Sequence, residues 1–509
     1  MRKFAGIRGA ERPGLGVEEN AGLLRRYSYL EERLFLLEAG RLPGTAVWEL
    51  KHALGRHSWE DGQHAAALRA RILTLRTPPG LLEDCPDTAL ERLCDELASA
   101  EDEVELAAAL YGVVKPALLA AYRWHLATTN PVADFPTVRE LEIIAREESQ
   151  QLAWGVEAVA ELAGGAAAAD ALAELRHWPT VHLPPLEVAD PEPPAAAQGG
   201  PAVGLPVEPA PDAPERAARW QARIRALLAA CGGVRGAEAR AAPPQPLGRQ
   251  WRLSRHPSRD PRFTIHFNFN EPGDPPAETI PDRLVFMMRG RLNELAAAEN
   301  PASAIWELAL AGALPFAGLV ELSRHMWDEI RHSMLGEAVL ESLGHDIRAW
   351  PLRIGPGYSY LSVGPLERYA HLGINVEQGM MRYPPGKREE YEWCRDVARY
   401  PLAAMYQDYD WADEVYHTQI ARRWVGAALA RGAARTAGPE AMRALSQRVG
   451  REIAANTAAI AAVWHRERSL GRTLRDPAPL PAASGTAVPE DPEITLTRED
   501  VERDLRANE

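Results

Sequence analysis

The stretch "RHMWDEIRHSM", residues 324–334, brings acidic, basic and histidine side chains together within about three turns of a helix. Glu329 and His332 are three positions apart, so on a helix they share one face and can reach a single metal ion. A lone Glu-x-x-His pair also arises by chance, as part of a solvated polar turn. The interpretation therefore depends on whether other helices supply partners.

The composition of the 509-residue chain predicts an all-α protein. Alanine, leucine, arginine and glutamate dominate, and long stretches lack the helix breakers glycine and proline. The formal net charge of −14 disfavours nucleic-acid binding, and no run approaches the ~18 apolar residues of a transmembrane helix. Four scattered cysteines without a CxxC pair fit reduced thiols, so we expect a cytoplasmic protein that binds no membrane.

Proline-rich stretches divide the sequence into four predicted segments. Residues 1–178 are interpreted as a helical bundle, and residues 179–250 as a Pro/Ala-rich linker with a short helix, because they contain few large apolar residues. Residues 251–470 are predicted to form a second helical bundle. The charged, proline-rich residues 471–509 are predicted to be a disordered tail.

The helices of the second bundle are delimited by turn sequences. They are predicted at about 282–313, 316–343, 366–399 with a break at "YPPGK" (383–387), 401–431 and 439–465. The irregular residues 345–365 are interpreted as the crossover between the second and third helices. An alternating stretch at 262–270 predicts a small strand.

The two bundles are related in sequence. "RHSWEDGQHAAALRARIL" (56–73) aligns without a gap with "RHMWDEIRHSMLGEAVLE" (324–341), and each stretch follows an "AG-x-LP" turn. Internal duplication of a helical bundle explains this better than chance does.

The fourth helix supplies a second histidine pair. In "WADEVYHTQ" (411–419), Glu414 and His417 are again three positions apart and again follow an acid. A dinuclear carboxylate site needs one more glutamate from each of the two remaining helices.

Two further glutamates complete the predicted set. Counting about 1.5 Å per residue from the turn selects Glu299 on the first helix, with Glu294 and Glu307 as alternatives. On the third helix the choice is Glu377, in "GINVEQGMM". The competing acids, which also suit a solvated face, are Glu389, Glu390 and Glu392.

This pattern of Glu, Glu-x-x-His, Glu, Glu-x-x-His resembles that of the ferritin-like di-iron carboxylate superfamily. "DEIRH" (328–332) also matches the Asp-Glu-x-Arg-His form of its oxygen-activating branches, whereas "DEVYH" (413–417) has Tyr416 where arginine would stand. The resemblance implies two ferritin-like four-helix bundles joined by the linker. The implied metal ligands are Glu299, Glu329, His332, Glu377, Glu414 and His417.

The resemblance implies a non-haem enzyme with two iron ions, or Mn/Fe, and dioxygen as co-substrate. The expected reaction is hydroxylation, desaturation or N-oxygenation of a small organic substrate, with Glu329 and Glu414 as the catalytic residues. Carboxylates suit these metals, and one imidazole per metal leaves coordination positions open. The sequence contains no flavin, nicotinamide or iron–sulfur motif, so electrons would come from a separate reductase or from the substrate. The alternatives are a ferroxidase or iron-handling protein, and a scaffold with a relic metal site.

Neighbours of the ligands have predicted supporting roles. Asp328 and Asp413 would orient the imidazoles through their second N–H, unless they are simply solvated. His325 is expected to pack beside the site rather than bind metal, and Tyr416 is also placed beside the site. Arg331 is expected to form an ion pair on the helix exterior.

The first bundle contains a degenerate copy of the pattern. Asp61 and His64 replace the first pair, and Glu148 and Gln151 replace the second. Glutamine is a neutral, weak ligand, so this bundle is interpreted as structural. Neither Glu31 nor Glu105 lies at the level expected for a further ligand; these two acids are therefore not assigned. The oligomeric state is left open, with a homodimer as one arrangement.

Overall fold

The computed structural model describes residues 3–169, 210–236, 257–268, 277–381, 386–432 and 439–469. Across these residues the chain is mostly helical, which confirms the all-α prediction. Within the same ranges the only strands are β1 (Ile265–His266) and β2 (Leu352–Arg353), which pair in parallel. Most of the predicted linker and the predicted tail lie outside the described residues.

The chain divides into two compact units. Unit 1 comprises Met1–Phe35 and Glu60–Arg252, and unit 2 comprises Leu36–Trp59 and Leu253–Glu509. Residues 36–59 therefore group with the second unit, a grouping that the sequence did not indicate. The short helix assigned to the linker groups with unit 1.

The first six helices lie within residues 1–178, which were predicted to form a helical bundle, and the seventh lies within the predicted linker. Asp87 and Asp102 cap the third and fourth of them by accepting backbone N–H bonds from Ala89 and Glu105. A π-helical turn, Leu110–Val114, joins the fourth helix to the fifth. The helices are α1 (Val17–Arg41), α2 (Trp48–Leu73), α3 (Thr88–Ala98), α4 (Glu103–Ala109), α5 (Lys115–Thr128), α6 (Phe135–Ala163) and α7 (Ala213–Ala230).

One apolar helical stretch of unit 1, Glu103–Thr128, is long and apolar enough to cross a membrane by length and composition. In the structure, 83% of its most apolar window is buried. A helix that is apolar on all sides is expected in a core as well as in a membrane. Its burial favours the core, to which Tyr111, Leu118 and Tyr122 belong.

Unit 2 contains the remaining helices. Two π-helical turns, His371–Glu377 and Cys394–Ala398, extend the twelfth and fourteenth helices. The predicted crossover at 345–365 is not irregular throughout, because it contains β2 and a short helix. The helices are α8 (Ile280–Leu292), α9 (Leu295–Leu310), α10 (Phe316–Ser342), α11 (Gly355–Leu361), α12 (Pro365–Ala370), α13 (Gln378–Met380), α14 (Lys387–Trp393), α15 (Pro401–Gly432) and α16 (Pro439–Ser469).

Helix α10 is the central element of unit 2. Leu322, Met326 and Ile330 recur every four residues and are buried, which gives the helix an apolar face. On another face, a Cβ at Gly336 would lie 2.5 Å from the backbone nitrogen of Leu292. Glycine therefore lets α10 approach the end of α8 closely, and this brings the residues that follow α8 next to α10.

Candidate metal centre

Helices α10 and α15 present the same order of side chains. His325, Glu329 and His332 stand at positions i, i+4 and i+7 of α10, and all three are buried. The same spacing on α15 places a second group of buried side chains on one face. That group is Asp410, Glu414 and His417.

The polar faces of these helices meet in a buried cluster with two further glutamates. Three overlapping groups have candidate ligand atoms that all lie within 4.8 Å of one another. We call the first the Glu294 group and the second the Glu377 group; the third links them. The groups are, in this order, Glu294, His332 and Asp410; His325, Glu329, Glu377 and His417; and Glu329, His332 and Glu414.

Glu329 belongs to the Glu377 group and also lies near His332 of the Glu294 group. Its Oε2 is 3.7 Å from Nδ1 of His332, and its Oε1 is 3.5 Å from Nδ1 of His417. The two oxygens of one carboxylate thus face the imidazoles of both groups. One carboxylate therefore lies close to a histidine of each group.

The other ring nitrogens of these imidazoles face aspartates on the opposite helix. Nε2 of His417 is 3.3 Å from Oδ2 of Asp328, and Nε2 of His332 is 3.4 Å from Oδ2 of Asp413. Because a carboxylate only accepts hydrogen bonds, each Nε2 is the donor, so in the neutral ring the lone pair is on the Nδ1 that faces the cluster. Both aspartates occupy the orienting positions that the sequence suggested.

Two arginines fix the orienting aspartates. Arg331 forms an ion pair as predicted, but its partners are the buried Asp328 and Asp413 beside the cluster and not groups on the helix exterior. Nε of Arg324 lies 2.8 Å from both carboxylate oxygens of Asp328. Burial opposes ionisation of Asp328, but the bonds from His417 and the arginines hold its pKa well below the usual range.

Several buried polar atoms of the cluster have no hydrogen-bond partner among the described residues. Buried polar atoms normally have a partner, so such a set indicates a site that could accept a cation. Imidazole and carboxylate donors in these numbers suit two divalent iron or manganese ions. The atoms are Nδ1 of His332, Nδ1 of His417, and one Oε2 each of Glu294, Glu377 and Glu414. The donor set therefore fits metal binding.

The ionisation of the cluster shows the same excess of negative charge. Burial lowers the pKa of His332, but Asp410, Asp413 and the neighbouring glutamates outweigh burial and raise it well above the usual value. The pKa of His417 is raised in the same way. A metal needs neutral imidazoles, so its binding would release protons from these rings.

Two basic side chains already lie against the Glu294 group. Nζ of Lys387 is 2.8 Å from Asp410 and 2.8 Å from Glu414. Nη2 of Arg291 is 3.2 Å from Asp410, and Arg291 also pairs with Glu294. Against the effect of burial, these cations lower the pKa of Glu294 to about 2.

Five of the six predicted ligands meet in the cluster, and Glu299 does not. Its carboxylate accepts bonds from Lys51 at 2.7 Å and from Arg259 at 2.6 Å. The first-helix member of the cluster is Glu294, which had been an alternative. Five residues correspond to about 7.5 Å along a helix and a rotation of about 140°, so the count along the axis selected neither the level nor the face of the site.

The structure also decides between the third-helix alternatives. Glu377 lies in the cluster, whereas Glu390 pairs with Arg291 and Glu389 accepts the backbone N–H of Gly386 at 2.8 Å. Glu377 ends a π-helical turn, a feature often found at functional sites. Within that turn, Gly373 approaches Ala421 of α15 so closely that a Cβ would collide with it.

Two neighbours of the ligands lie elsewhere than expected. Tyr416 is 37% exposed, because a position two residues from Glu414 points about 200° away on a helix. His325 does not merely pack: its Nε2 is 2.8 Å from Glu377, and its ring stacks on that of His417 at 3.7 Å. The Nδ1 of His325 lies 3.1 Å from the hydroxyl of Tyr369.

The sequence reasoning missed Asp410, although a signal was present. His-x-x-x-Glu-x-x-His on α10 and Asp-x-x-x-Glu-x-x-His on α15 share one spacing, so the repeat identifies both first members. The Glu-x-x-His pattern contains only the last two of the three residues that share this face. Residues one turn earlier share the same face.

No protein-family model, no curated protein and no solved structure matches the chain. The function of the cluster therefore has to be inferred from its own residues.

Proposed function

We propose that unit 2 is a non-haem dinuclear oxygenase or oxidase that uses dioxygen to oxidise a small organic substrate. Its cofactor would be two iron ions, or one manganese and one iron. The observation that carries the proposal is Glu329, whose two carboxylate oxygens face the imidazoles of two adjacent ligand groups. We also propose that each unit is a ferritin-like four-helix bundle.

The charge of the cluster supports two divalent ions. The carboxylates that belong to the cluster or contact its side chains are eight: Glu294, Asp328, Glu329, Glu377, Glu390, Asp410, Asp413 and Glu414. Four positive charges face them, from Arg291, Arg324, Arg331 and Lys387. With neutral imidazoles, two divalent cations would balance the remaining negative charge, and buried charge requires such balance.

The protein side chains would set the geometry of the cofactor. Asp328 and Asp413 hold the imidazoles with Nδ1 directed inward. If the Nδ1–H of His325 donates to Tyr369, the lone pair on its Nε2 faces Glu377 and Glu329. When bound, the two metals would supply the open coordination positions and the redox changes that reduction of dioxygen needs.

Burial of the ligands has a chemical consequence. His332, Asp410 and His417 are fully buried, and Glu329, Glu377 and Glu414 nearly so. A site that excludes water strengthens the electrostatic interactions inside it and limits side reactions of activated oxygen. We propose that electrons come from a separate reductase or from the substrate.

The amount of iron retained by the protein, and its optical response to oxygen, distinguish the proposed enzyme from an iron-storage protein. An enzyme site keeps its metals, so excess Fe(II) added in air should not leave tens of iron ions on each chain. The reduced protein mixed with oxygen should show a transient optical absorption, which Glu414→Ala should abolish with helical content unchanged. The exposed Asp408 lies on the same helix, so Asp408→Ala is the matched control. A retained iron core, or the same transient in Glu414→Ala, would overturn the proposal.

A further inference from the structure

Unit 1 contains a second buried group of metal-ligand side chains. Glu31, Asp61, His64 and Glu148 offer ligand atoms that all lie within 4.8 Å of one another, and all four residues are buried. We call these residues the unit 1 cluster. Glu31 is a member of this cluster, although its position along the helix had not predicted it as a ligand.

The histidine of this cluster is held as His332 is in unit 2. Nδ1 of His64 is 3.4 Å from Oε2 of Glu31 and 3.7 Å from Oε1 of Glu148. Its Nε2 is 2.9 Å from Glu147, the residue that precedes Glu148. In unit 2 the orienting Asp413 likewise precedes Glu414. The imidazole therefore presents Nδ1 to the carboxylates in both units.

Three atoms of the unit 1 cluster lack a hydrogen-bond partner within the described parts of the chain. They are Nδ1 of His64, Oε2 of Glu31 and Oε2 of Glu148. Tyr122 donates its hydroxyl to the other oxygen of Glu31, which directs Oε2 toward the histidine. Buried polar atoms without partners, on residues that approach one another from different helices, fit the environment of a bound cation.

The second cation position is occupied by a side chain. Nζ of Lys115 lies 2.8 Å from Asp61 and 3.3 Å from Glu148. Gln151, where unit 2 has His417, donates its amide to Asp61 at 3.0 Å. The three carboxylates of the cluster and the ammonium group of Lys115 leave two negative charges, which one divalent cation would balance.

We infer that unit 1 binds one divalent metal ion through Glu31, Asp61, His64 and Glu148, while Lys115 replaces a second ion. Three carboxylates and one imidazole suit Mn²⁺, Fe²⁺ or Zn²⁺. This site is independent of the proposed function of unit 2. It also revises the interpretation of the first bundle as a purely structural copy.

Metal counting in the full chain tests the inference. The double variant Glu329→Ala/His332→Ala disables unit 2, and after loading with Mn²⁺ and removal of free metal it should retain one ion per chain. Adding His64→Ala should remove that ion. His125 is another fully buried histidine of unit 1, and His125→Ala should keep the ion. If His64→Ala fails to fold, Glu148→Gln, which preserves shape, should cause the same loss.

The outcomes separate this inference from the proposal for unit 2. A double variant that retains no metal, or an ion that survives both His64→Ala and Glu148→Gln, would overturn the unit 1 site. Loss of two ions between the wild type and the double variant would at the same time support unit 2. A single ion that is lost on His64→Ala and unaffected in the double variant would support unit 1 and overturn the dinuclear site.

Discussion

His417 on α15 donates its Nε2–H to Asp328 on α10 across 3.3 Å, and the reciprocal pair joins His332 to Asp413. Each helix thus orients the imidazole of the other. The arrangement fixes the tautomer that leaves Nδ1 free to bind metal. It also ties the two helices together at the level of the cluster.

Asp328→Asn should weaken metal binding without unfolding unit 2. The amide keeps the shape of the carboxylate but can no longer fix the tautomer of His417 or balance Arg331. We expect a 10–100-fold higher metal dissociation constant, about the loss typical of such orienting partners. Competition with a chelating dye measures it, and Asp408→Asn on the exposed face of α15 is the control. An unchanged constant would show that Asp328 serves only the ion pairs with arginine.

Lys387→Met should tighten metal binding at the Glu294 group. The ammonium group contacts Asp410 and Glu414, so it competes with a metal for the same carboxylates. Removing one positive charge about 4 Å from a divalent ion is worth several kcal/mol at a local dielectric of roughly 20, so we expect at least a tenfold gain. Lys51→Met is the control, because this buried lysine pairs with Glu299 instead. Weaker metal binding in Lys387→Met would mean that Lys387 positions the ligands.

Glu294→Gln and Glu299→Gln should differ in their effect on metal binding. Glu294→Gln removes an anionic ligand, so it should lower metal occupancy, and the loss of its ion pair with Arg291 should also lower the stability of the metal-free protein. Glu299→Gln leaves Lys51 and Arg259 without their shared anion, and such a loss costs about 3–5 kcal/mol. Its metal count should not change. Urea unfolding and elemental analysis measure both, and the reverse pattern would restore Glu299 as the ligand.

Glu337→Gln should remove a pH dependence of stability. Burial, together with Glu341 and Glu49, raises the pKa of Glu337 to about 7, although the indole N–H of Trp48 partly opposes the shift. The folded protein therefore keeps a proton that the unfolded chain loses above about pH 4.5, and stability falls as the pH rises from there through 7. At pH 8 the variant should be more stable than the wild type by on the order of 2 kcal/mol, and at pH 4 the two proteins should be equally stable.

Chemical unfolding at both pH values measures this effect. The same substitution at the exposed Glu440 should change neither value. The free energy of unfolding of the wild type should fall more than that of Glu337→Gln between pH 4.5 and 8. An equal fall in both proteins would contradict the raised pKa.

The sequence predicted the helices of unit 2 well because their ends carry strong signals. Pro401 and Pro439 begin α15 and α16, and "YPPGK" separates the two parts of the third predicted helix. The ligands that lie in Glu-x-x-His pairs were found for a similar reason, since three positions on a helix fix a shared face.

The sequence could not show on which face of a helix a single acidic residue lies when no second ligand is nearby in the sequence. Glu294 and Glu299 differ in face, and the face of α9 depends on the break after Leu292 and on the close approach at Gly336. Lys387, Lys115 and Glu31 reach their clusters from helices distant in sequence. Such tertiary pairings carry no local pattern, so no periodicity could have identified them.

The most direct test of the dinuclear claim is electron paramagnetic resonance of the protein loaded with Mn²⁺. The His64→Ala variant serves as the background, so that the unit 1 site does not contribute. Two ions that share Glu329 should give a spin-coupled spectrum and two bound ions per chain, and Glu329→Ala should lose that spectrum. The exposed Glu341 lies on the same helix, and Glu341→Ala should retain it. A spectrum of isolated Mn²⁺ ions, or none bound, would contradict the account.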